Sequence, residues 1–586
     1  MFEQIHPGVL FTQQPMIVFY PDIDHCPFCA SKLYVLKTRL KKVVTMEIGA
    51  FYAKEIILKC NCNKMVFHSK QLRSLVPAKC IFGFDIIEYI GRSLFIRCRN
   101  SLEIKQELSM KNIFISEREI SYLGRKFIIY LAFVHHESRN KIKDSMKKNG
   151  GFILHFDGTC DGNSPHLFSA LDSISNIVLE NIKLPSEKKE LLVPFFSQLK
   201  ELYGSPLALV HDMGKGIMGA IEEVFPNVAD FICHYHFLRD IGKDLLLEDY
   251  QFIMKSLRSH NIRTILKNKA KYLEKKINDN SEIISKFQES LENNKFNSEF
   301  IESMPIVASY VLIHWIFEAP RQSNGYGFPF DRIHLELYLR MEEVYNLLNL
   351  IVNKDQYNKK DNKPFIKLWR SLGKVITDKN LKNGIRVIQS KAKVFDKLRN
   401  ALRITQQDGT EGLNDDGDDT DIKTIENEVK KFREWIVLDK YRQKQYSKMI
   451  EQIDKYWEKL FADPISVMTG GGIITISPQR TNNILERFFR CEKRKSRKRS
   501  GMASLSKALK AMLADTPLVR NLENDEYYKI ILNGCSTLAE RFAQIDEKMV
   551  YEKIKMSQKN QEKVLPGVSK ILKKSDLTKK IEYLFV

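Results

Sequence analysis

At 586 residues the chain exceeds what one hydrophobic core usually supports, so several domains are expected. Lys and Arg number 93 against 72 Asp and Glu, an excess of 21 positive charges that favours a polyanionic partner through phosphate contacts and counterion release. The longest apolar candidates, FIIYLAFV and MPIVASYVLIHWIF, are short or interrupted beside the roughly eighteen residues of a bilayer span, which sets a membrane partner aside.

The first segment, MFEQIHPGVLFTQQ, lacks a basic stretch followed by an apolar one, so no secretory leader is expected and the ten cysteines are read as thiols. Cys26 and Cys29 in HCPFC form a tight knuckle, and Cys60 with Cys62 in KCNCNK supplies a second pair after strand-like sequence. Tetrahedral zinc wants two such pairs, so residues 1–82 are read as a zinc-ribbon-like region with structural Zn2+ on Cys26, Cys29, Cys60 and Cys62. The Cys-x-Cys spacing is closer than usual, leaving His25, His68 and Cys80 as substitute ligands and four reduced thiols as the plain alternative.

Residues 83–148 turn helical and are read as a helix-turn-helix DNA-binding domain. Ser116 with Glu119 makes a capping box, and Ile115 with Ile120 a hydrophobic staple. The helix they start would offer Glu117, Arg118, Ser121, Tyr122 and Arg125 to a DNA groove, with Arg118, Tyr122 and Arg125 the contacts carried forward. A helical hairpin that binds nothing is the plain alternative.

From 149 to 240 the period changes to strands. GFILHFD, HLFSALDSIS and NIVLENIKL are followed by an amphipathic helix, by PLALVHD, by GIMGAIEEVFP and by ADFICHYHF, giving the order β-β-β-α-β-α-β. Residues 241–470 read as an all-α insertion, with an acidic run at 406–421 expected to be disordered; its acidic residues lack the fixed positions of a calcium loop. Trp315 is a candidate for stacking on an unpaired base, with burial in the core as the alternative. Residues 471–515 carry a closing helix with a basic stretch, and 516–586 a helical C-terminal region.

Asp157 and Asp212 each close an apolar strand, in FILHFD and LALVHD, and strand ends are where a sheet projects side chains together. Paired carboxylates are hard ligands for Mg2+ or Mn2+, and two such ions promote phosphodiester chemistry. For either aspartate alone a helix cap or loop start would be the default.

Read together, these motifs resemble the DDE transposases of the Mutator-like and related insertion-sequence groups. DGT at Asp157 resembles their first catalytic aspartate, and HDMGKGIMGAIEEVFPNVADFICHYHFLRDI their strand-Asp-helix-strand unit, with Asp212 as the second. RTNNILERFFRCEKRKSRKRSG resembles the closing motif, in which Thr-Asn-Asn precedes a glutamate, here Glu486. The resemblance covers about 151–240 and 475–500, and more weakly the N-terminal modules. It implies a multidomain α/β chain with a ribonuclease H-like mixed-sheet core, split by the all-α insertion and preceded by the zinc-ribbon-like and helix-turn-helix modules. It implies metal-dependent cleavage and strand transfer at transposon ends, with Asp157, Asp212 and Glu486 as catalytic residues and ligands of two Mg2+ or Mn2+ ions. The implied partners are double-stranded transposon ends and target DNA, together with a second copy of the chain; the implied location is intracellular and DNA-associated, nucleoid or nucleus. A domesticated DNA-binding regulator and a structure-specific nuclease of the same fold are the rival readings.

Independently of the family, eight basic residues from Arg487 to Arg499 stand against one acidic residue, Glu492, which suits a helix laid along phosphates. Arg487, Arg490, Lys493, Arg494, Lys495, Arg497, Lys498 and Arg499 are the expected contacts. Cys233 and His236 lie at a strand-to-helix transition with no second pair nearby, and are assigned a structural role; Asp161 is assigned to the turn after Asp157.

Overall fold

Strand-like alternation near the N-terminus forms β1 (Met16–Phe19), β2 (Tyr34–Thr45), β3 (Gly49–Lys59) and β4 (Val66–Phe67), one sheet in the order β1-β3-β2 with β4 on β3. The computed structural model describes residues 14–278, 282–293, 303–319, 326–353, 363–404, 422–461, 463–478, 480–481, 483–501 and 504–559. The acidic run at 406–421 lies outside them. Two compact units emerge: Met1–Asp230 with Pro464–Ile476 and Ile484–Val586, and Phe231–Asp463 with Ser477–Asn483.

In the first unit, helices α1 (Lys70–Leu75), α2 (Phe84–Phe95), α3 (Ser101–Met110), α4 (Glu117–Glu137) and α5 (Arg139–Lys148) follow the sheet. Ser116 caps α4 by accepting from the Glu119 amide, and the full reciprocal capping box belongs to α3, between Asn100 and Glu103. From Leu123 onward α4 is apolar nearly all round, which makes a helix a buried spine rather than a surface element. Even Lys126 is only 5% exposed, and Tyr130 stacks on Phe542 at 5.1 Å. Consequently the N-terminal modules, the central sheet and the C-terminal helices share one apolar cluster running from Phe19 to Ile554.

That sheet comprises β5 (Ile153–Thr159), β6 (His166–Asp172), β7 (Ile177–Leu184), β8 (Ala208–His211) and β9 (Ala229–Ile232), in the order β7-β6-β5-β8-β9. β5, β6 and β7 form an antiparallel meander, whereas β5 and β8 run parallel. The crossovers are α6 (Lys189–Tyr203) and α7 (Lys215–Val224), so the observed order is β-β-β-α-β-α-β. Phe156 of β5 stacks on Phe196 of α6 at 4.2 Å, fixing which face of β5 meets the helices. Asp172 ties the meander to the start of β5 by accepting from the amides of Ile153 and Ile174.

His135 of α4 is fully buried; its Nε2–H donates to the Leu179 carbonyl at 2.8 Å, and Nδ1 accepts from the Tyr527 hydroxyl at 2.9 Å. The Leu179 carbonyl can only accept, so Nε2 carries a hydrogen, and burial, which pushes the ring down from 6.5 to about 4, keeps it neutral at pH 7. An unfolded chain takes up this proton near 6.5 while the folded one resists until about 4. Stability held by neutral His135 is therefore complete above that window and falls as pH drops through it, by roughly 3 kcal/mol. Urea midpoints measured between pH 7 and 4 are expected to fall with a slope that His135→Gln flattens; equal slopes would contradict the assignment.

The second unit is helical over α8 (His234–Ser259), α9 (Ile262–Asn278), α10 (Glu282–Asn293), α11 (Met304–Glu318), α12 (Ile333–Val352), α13 (Lys363–Ile376), α14 (Lys379–Ala401), α15 (Ile422–Val437), α16 (Lys440–Gln445), α17 (Ser447–Lys455) and α18 (Trp457–Leu460). Its main segment runs from 231 to 463, where the sequence pattern sets the insertion at 241–470. The difference at the far end is a hairpin, β10 (Ile465–Thr469) with β11 (Gly472–Ile476), which belongs to the first unit. Beyond it come α19 (Asn483–Ser500), α20 (Leu505–Ala511), a 3₁₀ turn (Thr516–Glu523), α21 (Asp525–Leu532), α22 (Leu538–Ala543) and α23 (Glu547–Lys559). Asn521 in the 3₁₀ turn exchanges two 2.8 Å hydrogen bonds with the backbone of Val178, covering the open edge of β7.

Candidate functional site

The parallel pair β5 and β8 is in register at Ile153 with Ala208, Leu154 with Leu209 and His155 with Val210. Asp157 follows two residues after His155 on β5, and Asp212 two residues after Val210, one past the end of β8, beyond the paired positions. Neighbouring strands lie about 4.8 Å apart, so the two aspartates stand at the same end of the β5–β8 pair. Asp157 is only 8% exposed, and Asp212, one residue past the end of β8, is half-buried.

Main-chain amides orient both groups. Asp157 Oδ1 accepts from the Gly158 amide at 2.8 Å, and Asp212 Oδ1 from the Gly214 amide at 3.0 Å. The fully buried His211 donates from Nδ1 to the Asp212 carbonyl at 2.6 Å, holding the chain where it leaves β8.

Two glycines let a third segment press against this locus. A Cβ on Gly158 would stand 2.2 Å from Glu187 Oε1, and one on Gly216, in the first turn of α7, 1.9 Å from the Glu187 carbonyl oxygen. Glu187 is itself fixed by His166 at 2.9 Å. Sequence reasoning passed over Glu187 and Gly216, since nothing in their spacing announces a close approach across the sheet.

Glu486 falls in the first turn of α19; its side chain and that of Arg487 lie outside the described residues. The rest of α19 has two faces. Leu485 and Phe488 are buried, and on their side Arg499 lies over the Phe95 ring at 4.7 Å while Lys495 sits 3.9 Å from Glu492 and 3.7 Å from Glu523. Burial pushes Glu492 up and Arg499 down. Lys495 and Arg499, expected on phosphates, are thus drawn toward the protein, because long basic side chains bury their stems along apolar surface.

Arg490, Lys493, Arg494 and Arg497 occupy the opposite side, exposed, and line a cavity of about 220 Å3 with Ser504 and Leu505; Lys498 is exposed as well. Helical periodicity places position 486 on the same stripe as 490, 493 and 497. Asp161, four residues beyond Asp157, accepts from the Ser506 amide at 2.9 Å and so ties the β5–β6 turn to α20, which forms part of that cavity wall.

The N-terminal thiols form a second locus. The sulfurs of Cys26, Cys29 and Cys60 all lie within 4.8 Å of one another, the one group of three or more such ligand atoms among the described residues. Cys29 and Cys60 are 3.4 Å apart, near the roughly 3.8 Å that tetrahedral Zn–S bonds of about 2.3 Å imply. Asn63 Nδ2 donates to Cys26 Sγ at 3.3 Å. The Asn63 backbone, then the Ser31 hydroxyl, hold the Cys60 thiol down at about 6, which favours the thiolate a metal needs. These three could hold a metal such as zinc. Cys62 is exposed and outside the trio, its thiol 3.8 Å from Ser31 Oγ. Of the substitutes, His68 is engaged by Glu55 at 2.9 Å, His25 by Asp24 at 2.9 Å, and Cys80 lies in the main core with its thiol pushed up by burial.

Of the expected DNA contacts on α4, Arg118 is exposed, while Tyr122 and Arg125 are half-buried on the turn where the helix enters the core. Trp315 on α11 is half-buried, with the Arg340 guanidinium 4.7 Å from the centre of its ring and donating to its carbonyl at 2.7 Å, so one indole face is already covered. Cys233 precedes α8 and is buried, as is His236, which burial holds neutral at about 3. No third ligand joins them among the described residues. Compared with models of known protein families and with curated proteins, the chain matches none.

Proposed function

We propose that the chain is a DNA transposase with a ribonuclease H-like core, cleaving and joining strands at a site built on Asp157, Asp212 and Glu486. The observation that carries the reading is the parallel β5–β8 pair, in register as far as His155 with Val210, with Asp157 and Asp212 following at the same end. An antiparallel meander with β8 added parallel to β5 and β9 beyond it accommodates the core that the family resemblance implies.

The donor set fits Mg2+ or Mn2+: two carboxylates at the same end of a parallel strand pair are hard oxygen ligands, and Glu486 is the third acidic ligand that the resemblance assigns. Bound there, divalent ions lower the pKa of an attacking water or 3′ hydroxyl and stabilise the leaving oxygen. The Gly158 and Gly214 amides aim the carboxylates, His211 fixes the turn behind Asp212, and the Arg490–Arg497 stripe holds phosphates on the helical face shared with position 486. Hydrolysis breaks one P–O bond and frees a 3′ hydroxyl. Its in-line attack on a second phosphodiester forms a new P–O bond as another breaks, with no covalent protein intermediate. Gripping two DNA ends calls for a second copy of the chain. The Cys26, Cys29 and Cys60 trio, with Cys62 as the fourth ligand, serves as a structural zinc knuckle.

The test is nicking of supercoiled DNA with Mg2+ or Mn2+: wild type nicks and Asp212→Asn does not, whereas equal activity in both would overturn the reading. For the stripe, Arg494→Glu with Arg497→Glu is expected to weaken binding of unrelated duplexes alike and to reduce the slope of log K against log salt by about 1 for each phosphate no longer neutralised. An unchanged slope would remove the stripe from the interface.

A further inference from the structure

The helical unit contains a cleft of about 520 Å3 between α9, α11 and α13, within the range of small-molecule sites. Helix α9 lines it with Lys269, Tyr272 and Lys276 at helical spacing, and α13 with Lys363 and Lys367. Four ammonium groups therefore gather around one opening, and no acidic side chain among the described residues lines it. Lys276 and Lys367 stand 5.3 and 5.7 Å from the centre of the Tyr272 ring. Lys269 is held below the usual lysine range by burial and then by the charge of Lys367. Like charges drawn together without a counter-charge repel one another, and an anion seated among them relieves that cost.

The floor is different in kind. Leu273, Ile306, Ile313 and Leu368 make it apolar, and Tyr272, 53% exposed, stands at its edge. Inorganic phosphate would satisfy the lysines and leave this floor open to water. A ligand joining phosphate to a flat aromatic ring uses both, with phosphates on the lysines and the ring against Tyr272 and the aliphatic floor. We propose that this cleft binds a nucleotide, either free or as one unit of a single-stranded chain. The site lies in the second unit and does not depend on the aspartate pair.

Calorimetric titration of the full chain without divalent metal, using ATP, a 5′-phosphorylated oligothymidylate and inorganic triphosphate, tests this directly. Saturable ATP binding identifies a free nucleotide as the source; saturable binding of the oligonucleotide alone identifies a strand. In either case Lys269→Glu with Lys367→Glu is expected to weaken binding at least about tenfold, since the lysine–phosphate hydrogen bonds it removes are charge-assisted. Tyr272→Ala, at an exposed position, is expected to weaken the nucleotide while leaving triphosphate unchanged. The inference is overturned if neither ligand saturates, if the double variant binds as wild type does, or if triphosphate binds as tightly as ATP.

Discussion

Asp157→Asn is expected to lower metal-dependent DNA nicking by about 10³-fold or more, equivalent to about 4 kcal/mol of lost transition-state stabilisation. The substitution keeps the shape and an oxygen able to accept from the Gly158 amide at 2.8 Å, so the local backbone has no reason to move. What it removes is the negative charge in a nearly buried position, the property a divalent cation requires. Thermal melting should therefore stay near that of wild type while activity collapses, measured on the same preparation. Asp161→Asn is the control: this side chain caps α20 through Ser506 and is expected to leave nicking within a few-fold of wild type. Loss of activity in both variants alike would point to general disruption of the β5–β6 turn.

The second large effect is on the N-terminal knuckle. Its own core is Cys26, Leu33 and Cys60, with Ile23, Leu58 and Phe67 packed alongside, too small to hold a fold by burial alone. Structural zinc in comparable small modules supplies on the order of 10 kcal/mol of apparent binding energy. Cys60→Ser is therefore expected to reduce zinc from about one per chain to near zero and to expose the segment around residues 20–68 to protease, as a strong chelator should in wild type. Cys62→Ser separates two ligand sets: loss of zinc makes Cys62 the fourth ligand, and retention leaves that position to another donor. Full zinc content in Cys60→Ser would remove the trio from the metal site.

Part of the site's local structure was legible in the sequence, because FILHFD and LALVHD read as strands running into acidic residues; Asp212 does follow the end of β8, whereas β5 continues past Asp157 to Thr159. The parallel pairing of β5 with β8 was not, since which strands become neighbours is set by long-range packing, here including α6 against Phe156. The run FIIYLAFV is apolar on every side and already signals a buried helix, and α4 is buried along it. The β10–β11 hairpin was readable from β-branched segments flanking Gly470, Gly471 and Gly472, yet the boundary of the insertion was set at 470, inside it. The inward turn of Lys495 and Arg499 could not be read from a run of basic residues, as it depends on Phe95 and Glu523 arriving from distant parts of the chain. The same holds for the carbonyl of Glu187, which explains Gly216 only once α7 is folded onto it.

The most direct test of a divalent cation held between Asp157 and Asp212 needs no knowledge of the DNA sequence recognised. With Fe2+ in place of Mg2+, and ascorbate and peroxide added, hydroxyl radicals cut the backbone close to the bound ion, and the fragments are sized by mass spectrometry. Cuts near residues 157 and 212 in wild type, competed by Mg2+ and lost in Asp157→Asn, are the expected result. Cuts elsewhere, or cuts at these positions that persist in Asp157→Asn, would contradict it.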